Sequence, residues 1–172
     1  MWGMKMGQKY SHQLITGISF GMTTAVITSL GMIAGMYSAT SSKLAVVAGI
    51  VVMAIADGLS DAISLHTAEE AEVENGMSKH TPKEIWLTTL FAFLSVSGFT
   101  LTFTIPVLIF PLENATFVAI AWGMLLLILL NFYIAKTKKE NPVKLIAEHI
   151  LLAMFVIIVS HVVGDLVAIG FS

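Results

Sequence analysis

An all-α membrane protein of five transmembrane helices is predicted, and three observations carry the prediction. Of the 172 residues, 56% are apolar and 12% charged, whereas a soluble domain carries about 25% charged residues. The apolar residues fall into five runs, each long enough to cross a bilayer at about 20 residues per crossing. All nine basic residues are lysines, and eight of them sort to one side of the membrane. A single transmembrane domain spanning residues 1–172 follows, with no room for an added soluble domain. Net charge is −2 with no arginine, so the lipid bilayer is the expected partner and nucleic acid is not. The absence of cysteine excludes disulfides, zinc–thiolate sites, iron–sulfur clusters and thiol catalysis.

The first run, His12 to Met36, is too long for a signal-peptide core and lacks a cleavage pattern, so it is expected to be retained as a helix over 12–36. The second, Leu44 to Leu65, continues as an acidic extension through Glu69, Glu70 and Glu72, giving a helix over 44–72 before the Asn75-Gly76 stop signal. Thr81-Pro82-Lys83-Glu84 starts the third helix with proline in its first turn. Its apolar run is Ile85 to Phe110, so a helix over 82–110 is expected, kinked near Pro106. The fourth covers 115–135, Ala115 to Ala135, and the fifth 145–171, Leu145 to Phe171. With the N-terminus inside, Lys5, Lys9, Lys79, Lys83, Lys136, Lys138, Lys139 and Lys144 are cytoplasmic and only Lys43 is external. The positive-inside rule therefore predicts a cytoplasmic N-terminus and an external C-terminus.

An ionisable side chain in the hydrocarbon core costs about 2.5–3.5 kcal/mol on insertion scales. Asp57 and Asp61, four apart on the second helix, share a helical face. Met53 lies one turn earlier on that stripe, with Ser60 and Ser64 nearby. Carboxylate and thioether together suit a divalent transition metal better than Ca²⁺ or Mg²⁺; the alternative is that Met53 fills a gap and the aspartates bond to neighbouring helices. His161 and Asp165 form an i,i+4 pair that can relay a proton, or Asp165 can reach interfacial water. Glu69, Glu70 and Glu72 can gather cations at the cytoplasmic mouth, or form a solvated acidic face. His66 and His80 flank that run. The first helix carries Thr24 among other hydroxyls, which can line a polar path. Its two GxxxG steps, Gly17/Gly21 and Gly31/Gly35, allow close packing within a protomer or across a dimer. No nucleophile–base constellation stands out, so an enzyme is not expected.

The block Ala56-Asp57-Gly58-Leu59-Ser60-Asp61-Ala62 is similar to the second-helix motif of the vacuolar iron transporter family, and it is the specific part of the resemblance. Leu30-Gly31-Met32-Ile33-Ala34-Gly35, Leu90-Phe91-Ala92-Phe93-Leu94 and Ser160-His161-Val162-Val163-Gly164 are similar to less distinctive stretches, and Glu72 falls where the family has a glutamate past the second helix. The resemblance, to a short prokaryotic-type member, implies a homodimer in the plasma membrane of a prokaryote with the ion path between protomers. It further implies export of Fe²⁺ or Mn²⁺ from the cytoplasm in exchange for protons, with no permanently bound cofactor. The costly stripe and this family-like block together make Asp57, Asp61, Glu69, Glu70 and Glu72 the expected metal ligands. Met53, Ser60 and Thr24 would line the path, and His161 and Asp165 would pass protons. This chain departs from the family in three ways. Thr24-Ala25 stands where the family has Asp-Gly, Asp61 stands where it has methionine, and the long cytoplasmic metal-binding helices have no counterpart. A different reading of the same residues is a non-transporting assembly module whose intramembrane aspartates pair at a subunit interface.

Overall fold

The computed structural model of the chain describes residues 11–74 and 76–171; Lys5, Lys9 and Asn75 lie outside the described residues. Among the described residues, five spans are long and apolar enough to cross a membrane. They are α1 (Ser11–Thr40), α2 (Lys43–Ala71), α3 with α4 (Pro82–Thr102 and Thr104–Ile109), α5 (Leu112–Lys138) and α6 (Pro142–Phe171). A small antiparallel hairpin, β1 (Val73–Glu74) and β2 (Met77–Ser78), joins α2 to α3.

Local chemistry sets the helix ends. Helix α1 runs to Thr40, four residues past Met36, because its last polar residues serve it from within: the Thr40 hydroxyl donates to the Met36 carbonyl at 2.7 Å. Ser41 then reverses the chain at φ 48°, and Ser42 caps α2 by accepting from the Ala45 amide. Thr81 and Glu84 form a reciprocal capping box at the start of α3, with Pro82 in the first turn, an arrangement in which the cap alone contributes about 1 kcal/mol. Helix α5 extends three residues beyond 115–135 at each end. Lys136 and Lys138 lie in its last turn, where cations complement the helix dipole, and Lys139 closes it at φ 58°. The Asn141 side chain accepts from the Val143 amide at the start of α6.

Two stretches interrupt the helices. The acidic extension leaves the helix at Ala71, with Glu72 as its C-cap. Where a helix stop is expected, a hairpin follows instead, with Gly76 at φ 77° between its strands. The third span is broken at Phe103, one turn before Pro106. Pro106 has no N–H to give the Thr102 carbonyl, and its ring crowds that carbonyl.

Lipid tails are as apolar as leucine, so packing rather than water exclusion joins the helices, and small residues decide where backbones meet. Helix α1 is the hub. A Cβ at Gly17 would sit 2.6 Å from Phe91 Cβ, and one at Gly21 would sit 2.9 Å from the Ala92 carbonyl, both on α3. Gly31 and Gly35 meet Val156 and Ser160 of α6. Both GxxxG steps are therefore used within the chain. Leu30 fills the space over Gly123 of α5, and Met32 lies over Gly49 of α2. Val46, Ile50, Ala54, Gly58 and Ala62 form the buried stripe of α2, pinned to α3 where the Ser97 hydroxyl donates to the Ala54 carbonyl at 2.7 Å. At one end of the bundle lie His12, Glu69 and His80. Ser38, Lys43, Phe110 and Asp165 lie at the other.

Candidate ion pathway

Small residues on α2 determine where its aspartates stand. Gly58 lets α2 approach Ser97 and Phe93 of α3 closely. Asp57 and Asp61 immediately precede Gly58 and Ala62 in the chain, so they are held at the rim of that contact. Met53, Asp57 and Asp61 are all half-buried, while Ser60 and Ser64 are exposed. Among the described residues neither aspartate has a hydrogen-bond or ion-pair partner within the protomer. Two carboxylates one turn apart, beside a thioether, are a donor face open to whatever lies outside the protomer. Thr24 does not join that face through its hydroxyl, which donates back to the Phe20 and Gly21 carbonyls at 3.1 and 3.3 Å.

The glutamates separate. Glu69 is buried, Glu70 and Glu72 are exposed, and Glu74 sits on the hairpin. His80, also buried, points Nε2 toward both Glu72 Oε2 at 3.3 Å and Glu69 Oε2 at 3.7 Å. The His12 ring stacks near it, with centroids 6.1 Å apart. The Lys79 ammonium lies 2.5 Å from Glu72 Oε2 and so occupies an oxygen that a metal would need. Among the described residues no three His, Asp or Glu side chains gather to hold a metal ion. The five-carboxylate set Asp57, Asp61, Glu69, Glu70 and Glu72 is thus divided between a pair in the span and a separate cluster at the hairpin.

The Lys79 hydrogen bond, reinforced by His80, holds the Glu72 carboxyl below its usual range, and the same carboxylate pushes the Lys79 ammonium up. The sign of each shift gives a window. Glu72's contribution is present above its ordinary value of 4.5 and is lost as pH falls through its lowered value. Lys79's is present below its ordinary 10.5 and is lost as pH rises through its raised value. The backbone bond from the Lys79 amide to the Glu72 carbonyl at 3.0 Å closes the same loop. Hydrogen-exchange protection of the Lys79 amide, corrected for intrinsic rate, should therefore plateau between those limits and fall on the acid side. In Glu72→Gln the acid-side fall should be absent.

At the opposite end, His161 Nε2 stands 3.8 Å from Asp165 Oδ2, and both side chains are about half exposed. Ser38 of α1 donates to the other oxygen of Asp165. Asp165 is therefore anchored across helices rather than simply reaching water. Sequence reading missed Ser38, whose partner lies 127 residues away and leaves no local signal. It also missed Asn131, buried in α5 and satisfied by donating to the Leu127 carbonyl at 2.8 Å. His66 is tied to α3 through Nδ1 and the Thr89 hydroxyl at 2.8 Å, with Trp86 edge-on to its ring. Comparison with models of known protein families gave no match, and comparison with curated proteins gave none either.

Proposed function

We propose that the protein is a homodimeric transporter that moves a divalent transition metal, Fe²⁺ or Mn²⁺, out of the cytoplasm in exchange for protons, in the plasma membrane of a prokaryote. One observation carries this reading: Asp57 and Asp61 stand with Met53 on the rim of a membrane-spanning helix, unpartnered within the protomer among the described residues. A carboxylate at that depth is costly and needs a partner. Two copies of the face related by a two-fold axis would place four carboxylates and two thioethers around one path, and each copy would supply too few ligands alone. The GxxxG steps are occupied by α3 and α6, and the proposal sets this face of α2 against a second subunit. In the proposed orientation the hairpin end is cytoplasmic, Glu69, Glu70 and Glu72 draw cations toward the membrane, and Ser38, Asp165 and His161 lie at the proton side.

The test is flux. The full chain is placed in liposomes containing a metal-sensitive dye, with a proton gradient across the membrane. Mn²⁺ entry above protein-free vesicles, accompanied by opposite proton movement, is expected. Vesicles that move no metal would overturn the proposal. The assembly-module reading rests on the same unpartnered aspartates; it expects no flux together with a change of oligomeric state on native gels when either is replaced by asparagine.

A further inference from the structure

The break in the third span opens a groove that the ion pathway does not use. Where α3 gives way to α4 at Phe103, a cavity of about 270 Å³ lies against α5, lined by Ile105, Pro106, Ile109, Phe110, Val118 and Trp122. Thr102 completes the lining, and the surface turned to the cavity is apolar. Ile105, Ile109 and Val118 are exposed, so the groove opens outward from the bundle into the zone of lipid tails. The Trp122 indole is held at its side by donating to the Thr102 hydroxyl at 3.0 Å.

A cation stands at the groove's end. Lys43 Nζ donates to the carbonyls of Leu108 and Phe110 at 2.9 and 3.2 Å, and Phe110 is itself a wall of the groove. These carbonyls belong to the last turn of α4, where a cation complements the helix end. An ammonium has three N–H donors; two are used, and Lys43 is exposed. An apolar slot that ends at an ammonium with a donor to spare matches a molecule with a hydrocarbon chain and an anionic head.

We infer that this groove is a binding site for an anionic phospholipid, with an acyl chain along α4 and α5 and the phosphate on Lys43. The site follows from the sequence: Pro106 breaks the helix and opens the slot, and Lys43, the first residue of α2, reaches across to its end. It does not depend on transport.

Native mass spectrometry and thermal unfolding of the full chain in detergent, with added phosphatidylglycerol or phosphatidylcholine, test the inference. Phosphatidylglycerol should be retained preferentially and should raise the midpoint about 2–4 °C more than phosphatidylcholine, the scale of one lysine–anionic lipid contact in a chain of this size. Lys43→Gln should abolish that difference, whatever it does to absolute stability, and Lys144→Gln at the opposite end should keep it. Val118→Phe, which fills the groove from an exposed position, should lower retention of both lipids. Equal effects of the two lipids on the unaltered chain would overturn the inference, as would a phosphatidylglycerol preference that survives Lys43→Gln. A Lys43→Gln chain that changes oligomeric state while keeping its lipid preference would mark the face as a subunit contact and likewise overturn it.

Discussion

Gly164→Ala should lower the stability of the detergent-solubilised protein by about 1–3 kcal/mol, the range for overpacking a close contact, and its midpoint by roughly 2–12 °C. A Cβ at Gly164 would run into the carbonyl oxygen of Gly35 on α1, with Ser38 Cβ at 2.9 Å and the Gly35 carbonyl carbon at 3.1 Å. Side chains can rotate away from an added methyl, but a helix backbone can yield only by moving the whole helix. Helix α6 buries only Ala153 and Gly164, so losing this approach loosens one of its two buried points. The Ser38–Asp165 hydrogen bond, one residue along, should weaken with it. Gly98→Ala and Gly170→Ala are the controls, because nothing lies within 4 Å of a Cβ at either. In a helix, alanine in place of glycine contributes about 0.5–1 kcal/mol, so both should be neutral or slightly stabilising. Gly164→Ala matching those controls would refute the close-contact account.

The spans were legible because the bilayer imposes one long apolar run per helix, and charge is so scarce that the breaks stand out. Pro106 signalled a kink because its chemistry is local. The ends were less legible, since α1 runs to Thr40 and α5 to Lys138 through polar residues that a hydropathy pattern assigns to loops. Gly76 illustrates a different ambiguity: a glycine at such a position ends a helix or turns a hairpin, and Val73–Glu74 pairing with Met77–Ser78 is what decides. For the GxxxG steps, sequence could show that backbones would come close but not which backbone would arrive. The partners, α3 and α6, are set by the fold. The candidate site divides along the same line. Asp57, Asp61 and Met53 share a stripe because helical spacing alone places them. The glutamates stand apart from that stripe, because Glu69 and Glu72 both face His80 while Lys79 also takes Glu72, and these partners lie across a chain reversal that no periodicity describes.

Asp57→Asn and Asp61→Asn should each cut metal flux by at least roughly 10–100-fold, the loss already seen when mere outer-shell partners of a metal are removed, while leaving the folded protein intact. Asparagine preserves shape and one carbonyl oxygen but gives up the charge that draws a divalent ion from water. Neither aspartate has a partner inside the protomer among the described residues, so no internal bond is broken by the change. Removing a side chain that costs about 2.5–3.5 kcal/mol to insert should leave thermal stability unchanged or raise it. Flux and stability are thus expected to part company. Met53→Leu, which keeps the volume and deletes the thioether, should change the relative rates for Mn²⁺ and Ca²⁺ more than the total rate, because sulfur is what favours the softer ion. If the aspartates instead serve to join subunits, the two asparagine variants should lower the dimer fraction and the midpoint together. Measuring flux, native-gel mobility and midpoint on the same preparations separates a ligand from an interface contact. Unchanged flux with unchanged assembly would mean that neither role belongs to this face of α2.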